Sequence, residues 1–157
     1  MKRIVAGAIV ALCSAMAHAY QPGDAVDPAA LRKLQVEPAK VTIIDFFAEW
    51  CVSCRKELPL ISALHDRLGD GRVQFVGVDT DDVPDVAERF QKELRDQGHL
   101  SFKTLNDHDQ ALVKSFKPRG YPALFIIQDG KIARAHLGAI DNVDAVIERD
   151  LKSLGAF

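Results

Sequence analysis

Two cysteines, Cys51 and Cys54, are separated in the chain by Val52 and Ser53. Two thiols at this spacing can close a disulfide, bind a soft metal ion or exchange electrons with another disulfide. Structural zinc needs four ligands, and the histidines are scattered, with no two at zinc-finger spacing. We therefore predict no metal, although two thiolates also suit copper(I), which stays an open alternative. A permanent bridge across so short a loop would restrict the unfolded chain little.

The surroundings of the two cysteines favour redox chemistry. The run Val41–Phe47 is β-rich and nearly continuously apolar, which is typical of a strand buried on both faces. Apolar residues at helical spacing follow the cysteines, so Cys51 is expected at a helix start, where free backbone N–H groups and the helix dipole favour a thiolate. Cys54, one helical turn later, can then attack a mixed disulfide formed on Cys51.

These cysteines must be positioned by a chain that alternates between strand and helix patterns. We predict helices over Asp27–Leu34, from the cysteines to Leu68, and over Asp85–Gln97, Asp109–Phe116 and Val143–Leu154, with strands at Val41–Phe47, Arg72–Val78, Ser101–Leu105, Ala123–Ile127 and Ile132–Leu137. Strands joined through helices pair in parallel, and the Asp129-Gly130 turn adds an antiparallel hairpin. The predicted fold class is therefore α/β, with a mixed central sheet and helices on both faces.

The first residues have the pattern of a secretory signal. Lys2 and Arg3 precede the apolar run Ile4–Met16, and Ala17-His18-Ala19 supplies a small-x-small cleavage pattern. We therefore predict a signal peptide at residues 1–19, cleaved after Ala19, and one domain at residues 20–157, with a retained anchor as the alternative. The formal net charge of −2 gives no reason to expect a nucleic-acid partner.

Two blocks of the sequence resemble the thioredoxin superfamily. The run from Ile44 to Lys56, together with Pro59, is similar to the active-site block of that superfamily. The run from Lys117 to Lys131 is similar to its cis-proline loop, following strand and hairpin. This resemblance implies a thioredoxin-like fold. An extra helix and strand after the second strand, together with the export signal, resemble the TlpA/ResA-like periplasmic oxidoreductases.

The resemblance also implies roles for single residues. Asp45 interrupts an apolar strand, so burial should raise its pKa, and the matching superfamily acid assists proton transfer at the second cysteine. Pro122 is expected to follow a cis peptide bond, and the backbone of Tyr121 to pair with an extended substrate segment. Trp50 either shapes the same contact surface or packs beside the helix start. Where thioredoxins place a lysine near the buried acid, this chain has Gly77.

The charged residues near these blocks are expected to have structural or solvent-exposed roles. The acidic run from Asp79 to Asp85 is expected to cap and charge the start of the following helix. Solvated surface charge is expected for Arg55, Lys56 and Arg119.

The expected function is that of a thiol–disulfide oxidoreductase of the periplasm. Cys51 and Cys54 would form the redox disulfide, and the enzyme would reduce disulfides of exported proteins through a mixed disulfide, as a monomer and with no small-molecule cofactor. A reductant in an oxidising compartment must be recharged, which implies a membrane electron donor of the DsbD kind. Val52-Ser53 departs from the common patterns between the cysteines, so oxidation rather than reduction, or partner binding without turnover, stays an alternative.

Overall fold

The computed structural model describes residues 19–37, 40–68 and 71–157. The signal peptide predicted at residues 1–19 lies outside this part of the chain apart from Ala19. Ten elements follow in chain order: α1 (Pro28–Leu34), β1 (Val41–Phe47), α2 (Val52–Leu68), β2 (Val73–Asp79), α3 (Pro84–Asp96), β3 (Lys103–Asn106), α4 (Ala111–Phe116), β4 (Ala123–Gln128), β5 (Lys131–Leu137) and α5 (Val143–Ser153). Among the described helices, none has the length and apolar character to span a membrane.

The five strands form one mixed sheet in the order β3-β2-β1-β4-β5. The parallel pairs are β1 with β2 and β2 with β3, whereas β4 runs antiparallel to both β1 and β5. The predicted mixed sheet and its hairpin are confirmed. The extra helix and short strand after β2 are confirmed as α3 and β3, with β3 starting two residues later than predicted.

The sheet has a hydrophobic core on each face. All seven residues of β1 are buried, as expected for a strand covered on both sides. One core packs β1 and β2 against α2, α3 and α5 and includes both cysteines. The other packs the opposite face of the sheet against α1 and α4. The cysteine pair is therefore anchored in the larger core and lies beyond the carboxyl end of β1.

Position 77 in β2 leaves no room for a side chain, because aromatic rings pack against the Cα atom of Gly77. It lies opposite Asp45 in the sheet, the position where the resemblance placed a lysine in thioredoxins. A Cβ atom at Gly77 would lie 2.7 Å from the Cε1 atom of Phe47 and 3.2 Å from the ring of Phe102. The space for a side chain beside Asp45 is thus filled by aromatic rings.

We expect Gly77→Ala to lower the free energy of unfolding by about 1–3 kcal/mol, because the fully buried Phe47 ring must move to admit the methyl group. Denaturant unfolding of the oxidised protein measures this change. Gly71→Ala is the matched control, since nothing lies within 4 Å of the position its Cβ would take. A Gly77→Ala protein as stable as this control would show that the ring packing is loose.

Candidate active site

The cysteine pair lies at the junction of β1 and α2. Cys51 immediately precedes the first residue of α2, and Cys54 lies in its first turn. The two residues form a disulfide, with 5.3 Å between their Cα atoms. The backbone N–H of Cys54 donates to the Sγ atom of Cys51 at 3.2 Å. When the pair is reduced, this donor and the helix start favour a negative charge on the Cys51 sulfur.

The two cysteines differ in exposure. Cys51 is 5% exposed, whereas Cys54 is completely buried. Of the two residues, only Cys51 therefore retains any exposure to solvent. The order of attack expected from the sequence, Cys51 before Cys54, stays a prediction.

Asp45 is a buried carboxyl group on the cysteine side of β1. Its neighbours on that side of the strand, Ile43 and Phe47, share a core with both cysteines. Asp45 is 1% exposed, and neither of its side-chain oxygens has a hydrogen-bond partner among the described residues. Burial raises its pKa well above the ordinary value of 3.8, and the carboxylate of Glu57 raises it further.

Glu57 is a second buried carboxyl that the sequence analysis did not single out. It lies one turn after Cys54 on α2, so both residues lie on the same side of that helix. Its Oε1 atom accepts a hydrogen bond of 2.6 Å from the backbone N–H of Ile140. Burial raises the pKa of Glu57, and that hydrogen bond opposes the rise. The sequence signal was the helical spacing between Cys54 and Glu57.

The predicted cis-proline loop lies at the same end of the sheet as the cysteines. The Tyr121–Pro122 peptide bond is cis, as expected. Phe46 pairs with Ala123, so the loop before β4 meets the end of β1. The rings of Trp50 and Tyr121 are in contact, with centroids 5.4 Å apart. The structure thus brings together Trp50, Tyr121 and the cysteine loop.

The expectation that the acidic run caps α3 is wrong for its first residues. The N-cap of α3 is Val83, with no side-chain capping hydrogen bond. An Oδ1 atom of the buried Asp79 instead accepts from the backbone N–H of Asp81, and the Oδ2 atom of Asp81 accepts from the backbone N–H of Glu49 at 2.8 Å. Burial raises the pKa of Asp79 to about 6. These carboxyls therefore support the loop before Cys51.

Arg55 connects the same loop to α3. Its guanidinium pairs with Glu49 at 3.2 Å and with Glu93 at 2.9 Å, and lies 4.4 Å above the centre of the Phe90 ring. Two carboxylates offset its charge, so it adds little positive potential at Cys51. Solvated surface charge thus describes Arg55 incompletely, because this side chain also holds the active-site loop to α3.

No group of three or more histidine, cysteine, aspartate or glutamate residues that could hold a metal ion occurs within the described ranges. The described site offers a slightly exposed cysteine, a fully buried cysteine and two buried carboxyls with raised pKa values.

Comparisons with known proteins agree with this geometry. The profile of the AhpC/TSA family matches residues 21–135. The chain is 25% identical over 100 residues to the thiol-disulfide oxidoreductase ResA of Bacillus cereus, a match spanning 63% of this chain and 56% of that protein. It is 37% identical over 94 residues to the thiol:disulfide interchange protein CycY of Rhizobium leguminosarum bv. viciae, spanning 55% of this chain and 47% of CycY. The chain thus matches about half the length of these curated relatives.

A solved structure supports the same assignment. The crystal structure of StoA from Bacillus subtilis superposes with a TM-score of 0.61 at 25% identity, covering 69% of this chain and 81% of StoA. The predicted thioredoxin-like fold and the likeness to ResA are confirmed. Because the family profile spans most of the residues that build the sheet and its cysteine site, this chain belongs to the AhpC/TSA family, among its thioredoxin-like members.

Proposed function

We propose that this protein is a thiol–disulfide oxidoreductase that uses Cys51 and Cys54 to reduce disulfides of exported proteins. The main support is the asymmetry of the pair, in which Cys51 keeps slight exposure at a helix start and Cys54 is fully buried. The unpartnered carboxyl of Asp45 lies on the side of the sheet that packs against both cysteines. A purely structural disulfide requires neither this difference in exposure nor the buried acid, whose desolvation is costly. ResA is named a thiol-disulfide oxidoreductase and CycY a thiol:disulfide interchange protein, which supports thiol–disulfide exchange as the chemistry of the proposal.

In the proposed reaction, the Cys51 thiolate attacks one sulfur of the substrate disulfide. A bond forms between Cys51 and that sulfur, the substrate bond breaks, and the other substrate sulfur leaves as a thiolate that takes up a proton. Asp45 then accepts the thiol proton of Cys54, and the Cys54 thiolate attacks the Cys51 sulfur. The bond between Cys51 and the substrate breaks, and the second substrate sulfur leaves as a thiolate that takes up a proton. The substrate gains two electrons and two protons, and the protein is left with the Cys51–Cys54 disulfide.

Glu57 assists this proton transfer through its charge. When both carboxyls are ionised, the Glu57 carboxylate raises the affinity of Asp45 for a proton. The ionised form of Asp45 thereby becomes a stronger base for Cys54. The substrate segment lies along the Tyr121–Pro122 loop in this proposal, with its backbone paired to Tyr121 and its side chains against Trp50.

The proposed setting is the periplasm, reached through the signal peptide predicted at residues 1–19. The protein acts there as a monomer on exported proteins. Oxidising surroundings make a renewable source of electrons necessary, and a membrane donor of the DsbD kind would return two electrons to the Cys51–Cys54 disulfide. No small-molecule cofactor is needed, because the sulfurs transfer the electrons.

The test is trapping in cells with Cys54→Ala. Without Cys54 the mixed disulfide on Cys51 cannot be resolved from within, so covalent complexes should accumulate, and mass spectrometry after non-reducing separation identifies the trapped proteins. The variant lacking both cysteines is the control. If Cys54→Ala forms no more covalent complexes than this control, Cys51 does not attack protein disulfides and the proposal is wrong.

A further inference from the structure

An open groove of about 360 Å³ lies beside the cysteine loop. It is lined by Trp50, Thr80, Asp81, Asp82, Gln110 and Tyr121. The rings of Trp50 and Tyr121 provide an aromatic surface, and Trp50 is 63% exposed. A large exposed aromatic next to a reactive sulfur is available for contact with a partner.

The other side of the groove is acidic. The Asp82 side chain is exposed, and within the described part of the chain it makes no hydrogen bond or ion pair. Asp81 is buried and held by its hydrogen bond to the loop before Cys51. Of the six lining residues two are acids and none is a base, so the groove is complementary to a cation.

The groove is formed in advance of binding. The hydroxyl of Thr80 donates to the carbonyl of Phe47 at 3.1 Å, and the side-chain amide of Gln110 donates to the carbonyl of Thr80 at 3.0 Å. These bonds fix the acidic turn to the end of β1. Binding of a ligand in the groove should therefore cost little conformational entropy on this side, because these residues are already ordered.

We propose that the groove binds a lysine or arginine side chain that flanks the disulfide cysteine of the substrate. The aromatic faces of Trp50 and Tyr121 attract the cation through their ring electrons, and the free carboxylate of Asp82 pairs with it. The inference rests on the proposed function, since it names a class of substrate for the same site. The preferred substrates are thus disulfide-bearing segments with a basic residue next to the reacting cysteine.

The test uses three short peptides, each with one cysteine flanked by lysine, glutamine or glutamate and each oxidised to its symmetric disulfide dimer. Exchange with the reduced protein consumes one dimer and yields two peptide thiols and the Cys51–Cys54 disulfide. The reverse reaction, of peptide thiol with oxidised protein, is followed in parallel. A rate constant can then be measured whichever direction the redox potential of the Cys51–Cys54 pair favours. Released or consumed thiol gives the second-order rate constants.

We expect the lysine peptide to react about fivefold faster than the glutamine peptide at low salt, the glutamate peptide to react more slowly than either, and high salt to reduce the differences. Asp82→Asn should bring the three rates closer together. Asp85→Asn is the matched control, because it removes an exposed carboxylate in the first turn of α3 that does not line the groove. This variant should keep the wild-type preference.

Two other results would overturn the inference in different ways. Equal rates for the three peptides, or a preference that survives Asp82→Asn, would show that the groove does not bind the cation, while leaving the oxidoreductase proposal intact. No exchange with any of the peptides in either direction would contradict the proposed function itself, and the substrate preference with it.

Discussion

Cys51→Ser is expected to lower the rate of disulfide exchange by about 10⁴-fold or more, because a serine hydroxyl in place of the nucleophile does not ionise to a comparable attacking group. The structure points to Cys51 because it is the more exposed sulfur and accepts the backbone N–H of Cys54. The measurement is a single-turnover reaction of the reduced protein with a peptide disulfide, quenched with acid and analysed by mass.

Cys54→Ser is the matched variant for that experiment. It removes the same number of sulfur atoms from the pair, yet it should still form the mixed disulfide through Cys51 and stop there. If Cys54→Ser were unreactive while Cys51→Ser formed the mixed disulfide, the assignment of nucleophile and resolving cysteine would be reversed.

Asp45→Asn is expected to slow the second step, attack by Cys54, by about 10²–10⁴-fold, which is the usual contribution of a positioned acid or base. Formation of the mixed disulfide should change much less, because Cys51 is the more exposed residue and its sulfur accepts a hydrogen bond from the backbone N–H of Cys54. Rapid-quench kinetics separate the two steps. A variant that resolves its mixed disulfide at the wild-type rate would remove Asp45 from the mechanism.

The same variant should change the dependence of stability on pH. The pKa of Asp45 is raised by folding, so the folded protein keeps this proton to higher pH than the unfolded chain. Protonation therefore stabilises the fold fully below the ordinary value of 3.8, and this stabilisation is lost as the pH rises through the folded pKa. While it is being lost, the free energy of unfolding falls by up to about 1.4 kcal/mol per pH unit.

Asn at position 45 cannot ionise, so the part of this pH dependence that comes from Asp45 should disappear in the variant. The oxidised protein is used because its cysteines do not titrate. Denaturant unfolding across a series of pH values measures the slope, and Asp85→Asn provides an exposed control. Because Glu57 and Asp79 also have raised pKa values, part of the slope should persist in Asp45→Asn. An unchanged slope would mean that Asp45 does not lose its proton in the folded protein over the pH range measured.

Much of the fold was predictable from local patterns. The apolar run of β1, the helical spacing after Cys51 and the Asp129-Gly130 turn each determine an element whose length the structure reproduces closely. The pairing of the two cysteines and the burial of Asp45 were also predictable, because the cysteines are close in the chain and Asp45 lies within an otherwise apolar strand. The catalytic role of Asp45 stays a prediction.

Contacts between distant segments were less predictable. Glu57 reads as an ordinary helix residue, and its burial follows from the approach of the loop at Ile140, far along the chain. The acidic run looked like a helix cap, but Asp81 bonds to Glu49 on a different loop. In both cases the partner is chosen by tertiary packing, which the spacing of residues along the chain does not specify.

The most direct test of the redox assignment is an equilibrium titration of the Cys51–Cys54 pair against glutathione buffers, with the thiols alkylated and counted by mass spectrometry. We predict a reversible two-electron transition with a midpoint between roughly −270 and −120 mV, the span from thioredoxin to DsbA. A permanent structural bridge would stay oxidised throughout, because such disulfides have potentials below about −300 mV. A pair that stays oxidised in every buffer, or that stays reduced in every buffer, would contradict the assignment.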